Sequence, residues 1–416
     1  MTPLRTRTRN SSEYAFPLPS GQQASPSSAR SSLEVQHQHD DFASFAFPHE
    51  LTPPVSPTTA KAHEDSDGRV VPEILNYDFT RLDYELERAK VLGTGLWSTV
   101  YLTYSAPPAA SLAQPSRFTP PTTPSKSANN GATSSSSTSS LYAVKVPARP
   151  DASEILYHEA RMLTRLQTRA DAAQYIVAFD GLDTRNSALV FEAALGGSLE
   201  SMNSRLKQLT EVARHRELVH SFPRLALDLI SGLEFIHSSG IVHADIKPAN
   251  ILLDIDPEGD VSPAGTPIAV VRARYIDFSA AFRVDRIEEC PEQAGGGTWE
   301  FMAPEQMRIQ KELNTPTFAS DVWSLGITLL TLIVGGSPYA AACAPNNLFM
   351  LREAIKTGDP LSFARMDVTA QTRMVACQNF IDCCRLALKK DRENRTSAAM
   401  WRSWLSDHQL WNLVEW

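Results

Sequence analysis

The sequence predicts an α+β fold, with a small β-rich part carrying one helix placed ahead of a larger, mostly helical part. Three observations carry this. Short aliphatic strand patterns gather between Lys90 and Glu192 around a single apolar-striped helix. Long amphipathic helical patterns dominate after Leu199. Among them the run His243-Ala244-Asp245-Ile246-Lys247-Pro248-Ala249-Asn250 crowds an acid, a base and an amide together, then enters the apolar strand Ile251-Leu252-Leu253. A packed core has no use for such polarity, so this run reads as a loop that does chemistry, against the plainer reading of a polar turn before a strand.

The bulk numbers bound the rest. At 416 residues the chain allows two or three domains, or one large domain with extensions. A net charge of -8 argues against a nucleic-acid-binding body. The five cysteines (Cys290, Cys343, Cys377, Cys383, Cys384) lack metal-ligand spacing and read as free thiols in a reducing compartment. The apolar run from Val322 to Val334 is too short to span a bilayer, and no secretory signal is visible. The expectation is an intracellular protein, cytoplasmic or nuclear, that binds no nucleic acid and has no membrane span.

Residues 1–75 are rich in Ser, Pro, Thr, Gln and His and poor in branched aliphatics. They cannot bury enough surface to offset the entropy of ordering, which predicts a disordered tail. Order is expected from near Tyr84. Lys90 to Leu102 reads as strand, glycine turn, strand, in which Gly93 and Gly95 let backbone amides approach a phosphate closely; a simple hairpin turn reads the same way. Composition collapses to Ser, Pro, Ala, Thr and Asn over 105–140, an inserted loop that the sheet tolerates because long loops cost little extra closure entropy. A strand returns at Leu141 to Val146 with Lys145 inside it, then a helix from Ala152 to Leu166 carrying Glu159, with Glu154 as a nearby rival for any pairing with Lys145. Strands follow at Ile176–Phe179 and Ala188–Glu192, and helices at Leu199–Leu209 and Glu217–His237, the second ended by Gly240. Beyond the polar loop come an Asp/Pro/Gly-rich stretch over 254–267, a strand over 270–276, and Asp277-Phe278-Ser279.

Taken together, these segments resemble the eukaryotic protein kinases over 84–407, with 408–416 as a short tail. The loop is similar to the kinase catalytic loop H-x-D-x-K-x-x-N, and Asp277-Phe278-Ser279 to Asp-Phe-Gly. Gly297 to Glu305 resembles the far end of an activation segment, Ser320 to Gly326 the buried helix that supports the catalytic loop, and Arg395 the late arginine that pairs with Glu305. The resemblance implies a bilobal protein-kinase fold and ATP and Mg2+ as cofactors. Protein substrates are implied as partners. It assigns Asp245 and Lys247 to catalysis and Asn250 and Asp277 to the metal. It places Gly93, Thr94, Gly95, Ser98, Val100, Ala143, Lys145, Glu159, Phe191, Glu192, Ala194 and Leu252 around the nucleotide, with backbone groups from Glu192 to Ala194 holding adenine. Lys247, and Thr298 before Ala303-Pro304-Glu305, resemble the serine/threonine-specific branch.

Three positions depart from the pattern. Ser98 replaces a third glycine, Ser279 replaces the glycine after Asp-Phe, and Ala244 replaces an arginine that would receive a phosphate on the activation segment. The stretch from Ala280 to Gly297 contains no Ser, Thr or Tyr, so receiver and acceptor are absent together and conventional loop phosphorylation is not expected. The same departures keep open a pseudokinase scaffold that binds without phosphotransfer. In the tail, Tyr14-Ala15-Phe16-Pro17 and Phe45-Ala46-Phe47-Pro48, near Ser25-Pro26, Thr52-Pro53 and Ser56-Pro57, resemble docking peptides and acceptors of mitogen-activated protein kinases; Thr119-Pro120 and Thr123-Pro124 in the insertion are further acceptors for a proline-directed kinase.

Overall fold

Five antiparallel pairings build the first sheet of the computed structural model, which describes residues 63–64, 70–71, 73–80, 83–106, 141–255, 270–289, 298–308, 314–343 and 347–408. The strands are β1 (Asp83–Tyr84), β2 (Lys90–Thr94), β3 (Ser98–Ala106), β4 (Leu141–Pro147), β5 (Phe179–Asp183) and β6 (Ala188–Glu192). Their order is β1-β3-β4-β6-β5, with β2 also paired to β3. Alternation sorts the side chains: Tyr142, Val144, Ala188 and Val190 point into one buried cluster with Tyr77 and Tyr84. The opposite face, toward the rest of the molecule, carries Val100, Ala143, Lys145, Leu189 and Phe191, because register pairs Val100 with Lys145, Ala143 with Phe191 and Lys145 with Leu189.

Helix α1 (Ser153–Gln167) crosses that face, burying Leu156, Ala160, Met162, Leu163 and Leu166. The helical part holds α2 (Leu199–Leu206), α3 (Glu211–Ser238), the hairpin β7 (Ile251–Ile255) with β8 (Val270–Tyr275), α4 (Phe318–Val334), α5 (Leu348–Thr357), α6 (Gln378–Ala387) and α7 (Ala398–His408). Helix α4 is its centre, with every residue from Ser320 to Val334 buried. Leu329, Leu330, Leu332 and Ile333 are fully covered, and each such side chain contributes roughly 1.5–3 kcal/mol. The helix begins on a Thr317 cap and stops at Gly335, whose φ of 87° suits a residue without a Cβ. Its last carbonyls are not left bare: Arg214 donates to Leu332 and Ile333, and Arg373 to Val334.

Several sequence expectations move. Packing begins before Tyr84, inside the stretch assigned to the tail. Leu75 N–H donates to Thr164 Oγ1 on α1 at 2.9 Å, Leu182 N–H to Leu75 O at 2.8 Å and Tyr77 N–H to Leu182 O at 3.0 Å, so Glu73 to Tyr77 straps the edge of β5. Ser105 and Ala106, assigned to the insertion, are the end of β3 and pair with Tyr84 and Asp83; residues 107–140 lie outside the described residues. The strand expected at Ile176–Phe179 starts at Phe179 instead. Ile176 forms a bridge to Tyr275 and Val177 donates to Tyr275 O at 3.2 Å, so these residues serve β8 rather than the first sheet. Helix α3 starts at Glu211, six residues earlier than the periodicity predicts, because Thr210 caps it; α2 ends at Leu206, before Leu209. The tail motifs around Phe16 and Phe47 lie outside the described residues. Among the described residues, no helix is long and apolar enough to cross a membrane.

Candidate active site

One lysine ties the sheet, α1 and the segment after β8 together. Lys145 projects from β4 and its Nζ lies 2.7 Å from Glu159 Oε2 on α1 and 2.9 Å from Asp277 Oδ1 after β8. Glu159, not Glu154, therefore takes the pairing, and its second oxygen accepts the Phe278 N–H at 3.2 Å. Phe278 is fully buried in the core shared with Leu156 and Leu163, which sets Asp277 outward toward Lys145. Burial pushes the Asp277 carboxyl up, but Lys145 and the Ser279 side chain outweigh it and hold the group well below its ordinary value. Burial likewise works against the Lys145 ammonium, yet Asp277 and Glu159 raise it. For Glu159 burial wins over Lys145, and its carboxyl is raised.

The polar loop sits across a cleft of about 390 Å³ lined by Gly95, Trp97, Ser98, Lys145, Asp245, Lys247, Asp277 and Thr298 among others. Lys247 Nζ and Asn250 Nδ2 both donate to Asp245 Oδ2, at 2.7 and 2.9 Å, and Asn250 Nδ2 also reaches Asp245 O at 2.9 Å. The acid, base and amide singled out by sequence thus form one bonded group. Its backbone hangs on α4: Asp321 accepts the N–H of His243 at 2.8 Å and of Ala244 at 2.9 Å. His243 is buried, and its Nε2 lies 3.1 Å from Ile276 O, tying the loop to the segment that carries Asp277. Among the described residues, three that are not glycine have positive φ, and two of them are here: Ala244 at 65° and Asp277 at 62°. Such strain persists only where surrounding structure fixes it, and it gathers at functional sites.

The remaining predicted residues sort as follows. Val100, Ala143 and Phe191 share the Lys145 face of the sheet, and Leu252 stands on β7, bridged to Ser198. Gly93 and Thr94 end β2 and Gly95 N–H closes the hairpin on Ser98 O at 2.8 Å. At Gly93 a Cβ would meet nothing, so the fold itself does not demand glycine there. Glu192 is less free than expected. Its N–H donates to Ala178 O at 3.0 Å, Ala193 N–H to Leu141 O at 3.3 Å, and its carboxylate pairs with Arg274 at 3.1 Å. Sequence reasoning missed Trp97, Ile155 and Ala280 in the cleft wall; only the aromatic tip of the hairpin left a readable signal.

A two-lobed fold closing on a lysine-centred cleft is the architecture of the protein kinase domain. A family model described as protein kinase domain matches residues 131–405, two thirds of the chain, and the chain belongs to that family. It is 28% identical over 260 residues to mitogen-activated protein kinase kinase kinase 17 of Arabidopsis thaliana, covering 59% of this chain and 57% of that protein. It is 26% identical over 268 residues to mitogen-activated protein kinase kinase 7 of the same plant, covering 63% and 75%. Against the serine/threonine-protein kinase TOS3 of Saccharomyces cerevisiae it is 31% identical over 185 residues, covering 42% and 30%. The chain thus spans little over half the length of the first of these relatives.

Proposed function

We propose that this chain is an ATP- and magnesium-dependent protein kinase that transfers the γ-phosphate to serine and threonine hydroxyls of protein substrates. The observation that carries the reading is Lys145 held between Glu159 and Asp277 across the cleft from the bonded group Asp245, Lys247 and Asn250. The names of the relatives, kinases of mitogen-activated kinase cascades and a serine/threonine kinase, favour the same branch.

The residues fit the groups they would hold. Asn250 and Asp277 offer two hard side-chain oxygen donors. That suits magnesium, which takes one or two protein ligands and fills its shell with phosphate and water. Magnesium held by Asn250 and Asp277 would supply positive charge that offsets the charge of the transfer. Lys145, charged and anchored, steadies the α- and β-phosphates. Ala194, with the Glu192 and Ala193 amides already committed, is the candidate amide for adenine, which Val100, Ala143 and Leu252 sandwich and Phe191 backs. Asp245 orients the acceptor hydroxyl and takes its proton as oxygen bonds to the γ-phosphorus and the bond to the β-phosphate oxygen breaks. Lys247 offsets the charge on the phosphoryl group in transit.

Control of this activity lies elsewhere than on the activation segment. Ala244 packs beside Val242, Ala280 and Phe282 in a small apolar cluster where a phosphate receiver would need charge. With no acceptor between Ala280 and Gly297, phosphatase treatment is expected to leave activity unchanged; loss of activity with a modified residue mapped between Ser279 and Thr298 overturns this. Phosphorylation of the 1–75 stretch by a proline-directed kinase docked at Phe45 and Phe47 belongs to the same proposal, and unchanged labelling of Phe45→Ala with Phe47→Ala removes it. The main test is magnesium-dependent ATP turnover on a protein substrate, wild type against Asp245→Asn. Equal turnover in the two, or none in either, leaves the scaffold reading standing.

A further inference from the structure

Strand β2 is exposed along its whole length, from Lys90 to Thr94, and Leu96 at the hairpin tip is 70% exposed. A two-strand tip so placed would fray unless something outside the hairpin held it. Trp97, the residue after Leu96, is folded back and partly buried. Its carbonyl accepts the Ala148 N–H at 2.9 Å, and the Arg149 guanidinium lies over its indole, 4.1 Å from the ring centroid. Arg149 is itself aimed by Asp151, whose Oδ1 sits 2.8 Å from its Nε.

The stretch that supplies this contact is the one that links the rest of the site. Lys145 is four residues before Arg149, which sits in the turn just past the end of β4, and α1, which carries Glu159, begins four residues after it at Ser153. We infer that Arg149 is a positioning residue: it clamps the glycine hairpin at Trp97 in register with Lys145 and α1, so that the hairpin amides stand ready for nucleotide phosphates before the nucleotide arrives. The inference rests on the ATP-dependent reading above. It also accounts for Ser98. A family loop with three glycines is free to flap, whereas a hairpin pinned at its tip tolerates a side chain at that position.

Pre-organisation of this kind acts on binding of the nucleotide more than on the chemical step. The full-length protein is assayed for ATP KM and kcat as wild type, Arg149→Ala, Arg149→Lys and Trp97→Ala. Trp97 emission is isolated by subtracting the spectrum of Trp97→Phe. Arg149→Ala is expected to raise the KM for ATP about two- to fivefold, the worth of one partly exposed cation–π contact, with kcat within about twofold. Trp97→Ala matches it, Arg149→Lys recovers part of the loss, and Trp97 emission shifts to the red in Arg149→Ala. An unchanged KM in active Arg149→Ala protein overturns the inference while leaving the kinase reading intact, as does a fall in kcat at constant KM. A red shift without a change in KM also overturns it, showing a contact without a positioning role. A wild type that neither binds nor turns over ATP removes the inference and the reading together.

Discussion

Asp321 holds Ala244 in a conformation that alanine alone would avoid. Its Oδ1 accepts the Ala244 N–H at 2.9 Å while Oδ2 takes the His243 N–H at 2.8 Å and lies 3.1 Å from His237 Nε2. The carboxylate is almost fully buried, so these bonds are not replaced by water when lost. Asp321→Asn keeps the shape but turns one acceptor into a donor facing another N–H. The variant is expected to lose about 1–3 kcal/mol of stability, read by urea unfolding, and at least tenfold in turnover. Full activity would mean that the loop keeps its strained turn without the anchor.

Lys145 divides its charge between two acids that respond oppositely to pH. Burial raises the Glu159 carboxyl above 4.5, so the folded state binds that proton more tightly and the fold loses stability as pH rises from 4.5 through the raised value. Asp277 is depressed below 3.8, chiefly because Lys145 outweighs its burial. It contributes stability above that value, lost only as pH falls through the depressed one. On acidification Glu159 therefore takes a proton first and releases Lys145, while Asp277 still holds it. Glu159→Gln should cut kcat/KM at neutral pH by about 10²-fold, the effect of a misplaced phosphate ligand, and move the acid limb of the pH–activity profile downward. An acid limb identical to that of the wild type would assign it to another group.

What the sequence displayed and what it hid follow from the range of the interactions. Asp245, Lys247 and Asn250 share one short loop, so their spacing alone announced a bonded group. Lys145, Glu159 and Asp277 lie far apart in the chain, and their meeting was legible only through resemblance; choosing Glu159 over Glu154 needed helix phase, with Leu163 one turn on facing the core. The strap from Glu73 to Tyr77 left no signal, since its bonds go to Thr164 and Leu182 and two aliphatics beside a polar stretch carry no period. Ile176 and Val177 read as a strand of the first sheet because β-branched residues fit any pleated edge; their partner Tyr275 is decided by tertiary packing.

That strap depends on a glycine. Gly181 has φ of 139°, and a Cβ built there would lie 2.4 Å from Tyr77 N and 2.6 Å from Asn76 C, both backbone atoms that cannot turn aside. Gly181→Ala is expected to expel the strap or shift β5, at a cost of about 1–3 kcal/mol or more. Thr164→Val removes the Leu75 bond, and with it the bond that the Thr164 hydroxyl donates to Ala160 O within α1, without any clash, and should cost about 1 kcal/mol. Hydrogen exchange checks both: the Leu75, Tyr77 and Leu182 amides lose protection together in Gly181→Ala, whereas in Thr164→Val the loss is confined to Leu75. Retained protection at all three in Gly181→Ala would show that the edge of β5 does not need the strap closely packed.

Deep in the helical part, Arg395 clasps Glu305 with two bonds, at 2.8 and 3.1 Å, and donates further to Ala319 O at 2.6 Å and Lys389 O at 3.1 Å. Its side chain is fully covered and lies over Trp323, 5.1 Å from the ring centroid. The guanidinium thus joins the end of the activation segment, the start of α4 and the turn before α7. Desolvating both charges cancels much of their attraction, so the pair itself need add little net stability. Breaking it is another matter, because the surviving charge stays buried. Arg395→Met is expected to cost about 3–5 kcal/mol by leaving Glu305 alone. Glu305→Gln keeps an acceptor for one bond and should cost less. Combining Arg395→Met with Glu305→Leu removes both charges and should be more stable than Arg395→Met by itself, a coupling of roughly 1–3 kcal/mol in a double-mutant cycle from urea unfolding. Strict additivity in that cycle would locate the arginine's worth in its carbonyl and indole contacts instead of in Glu305.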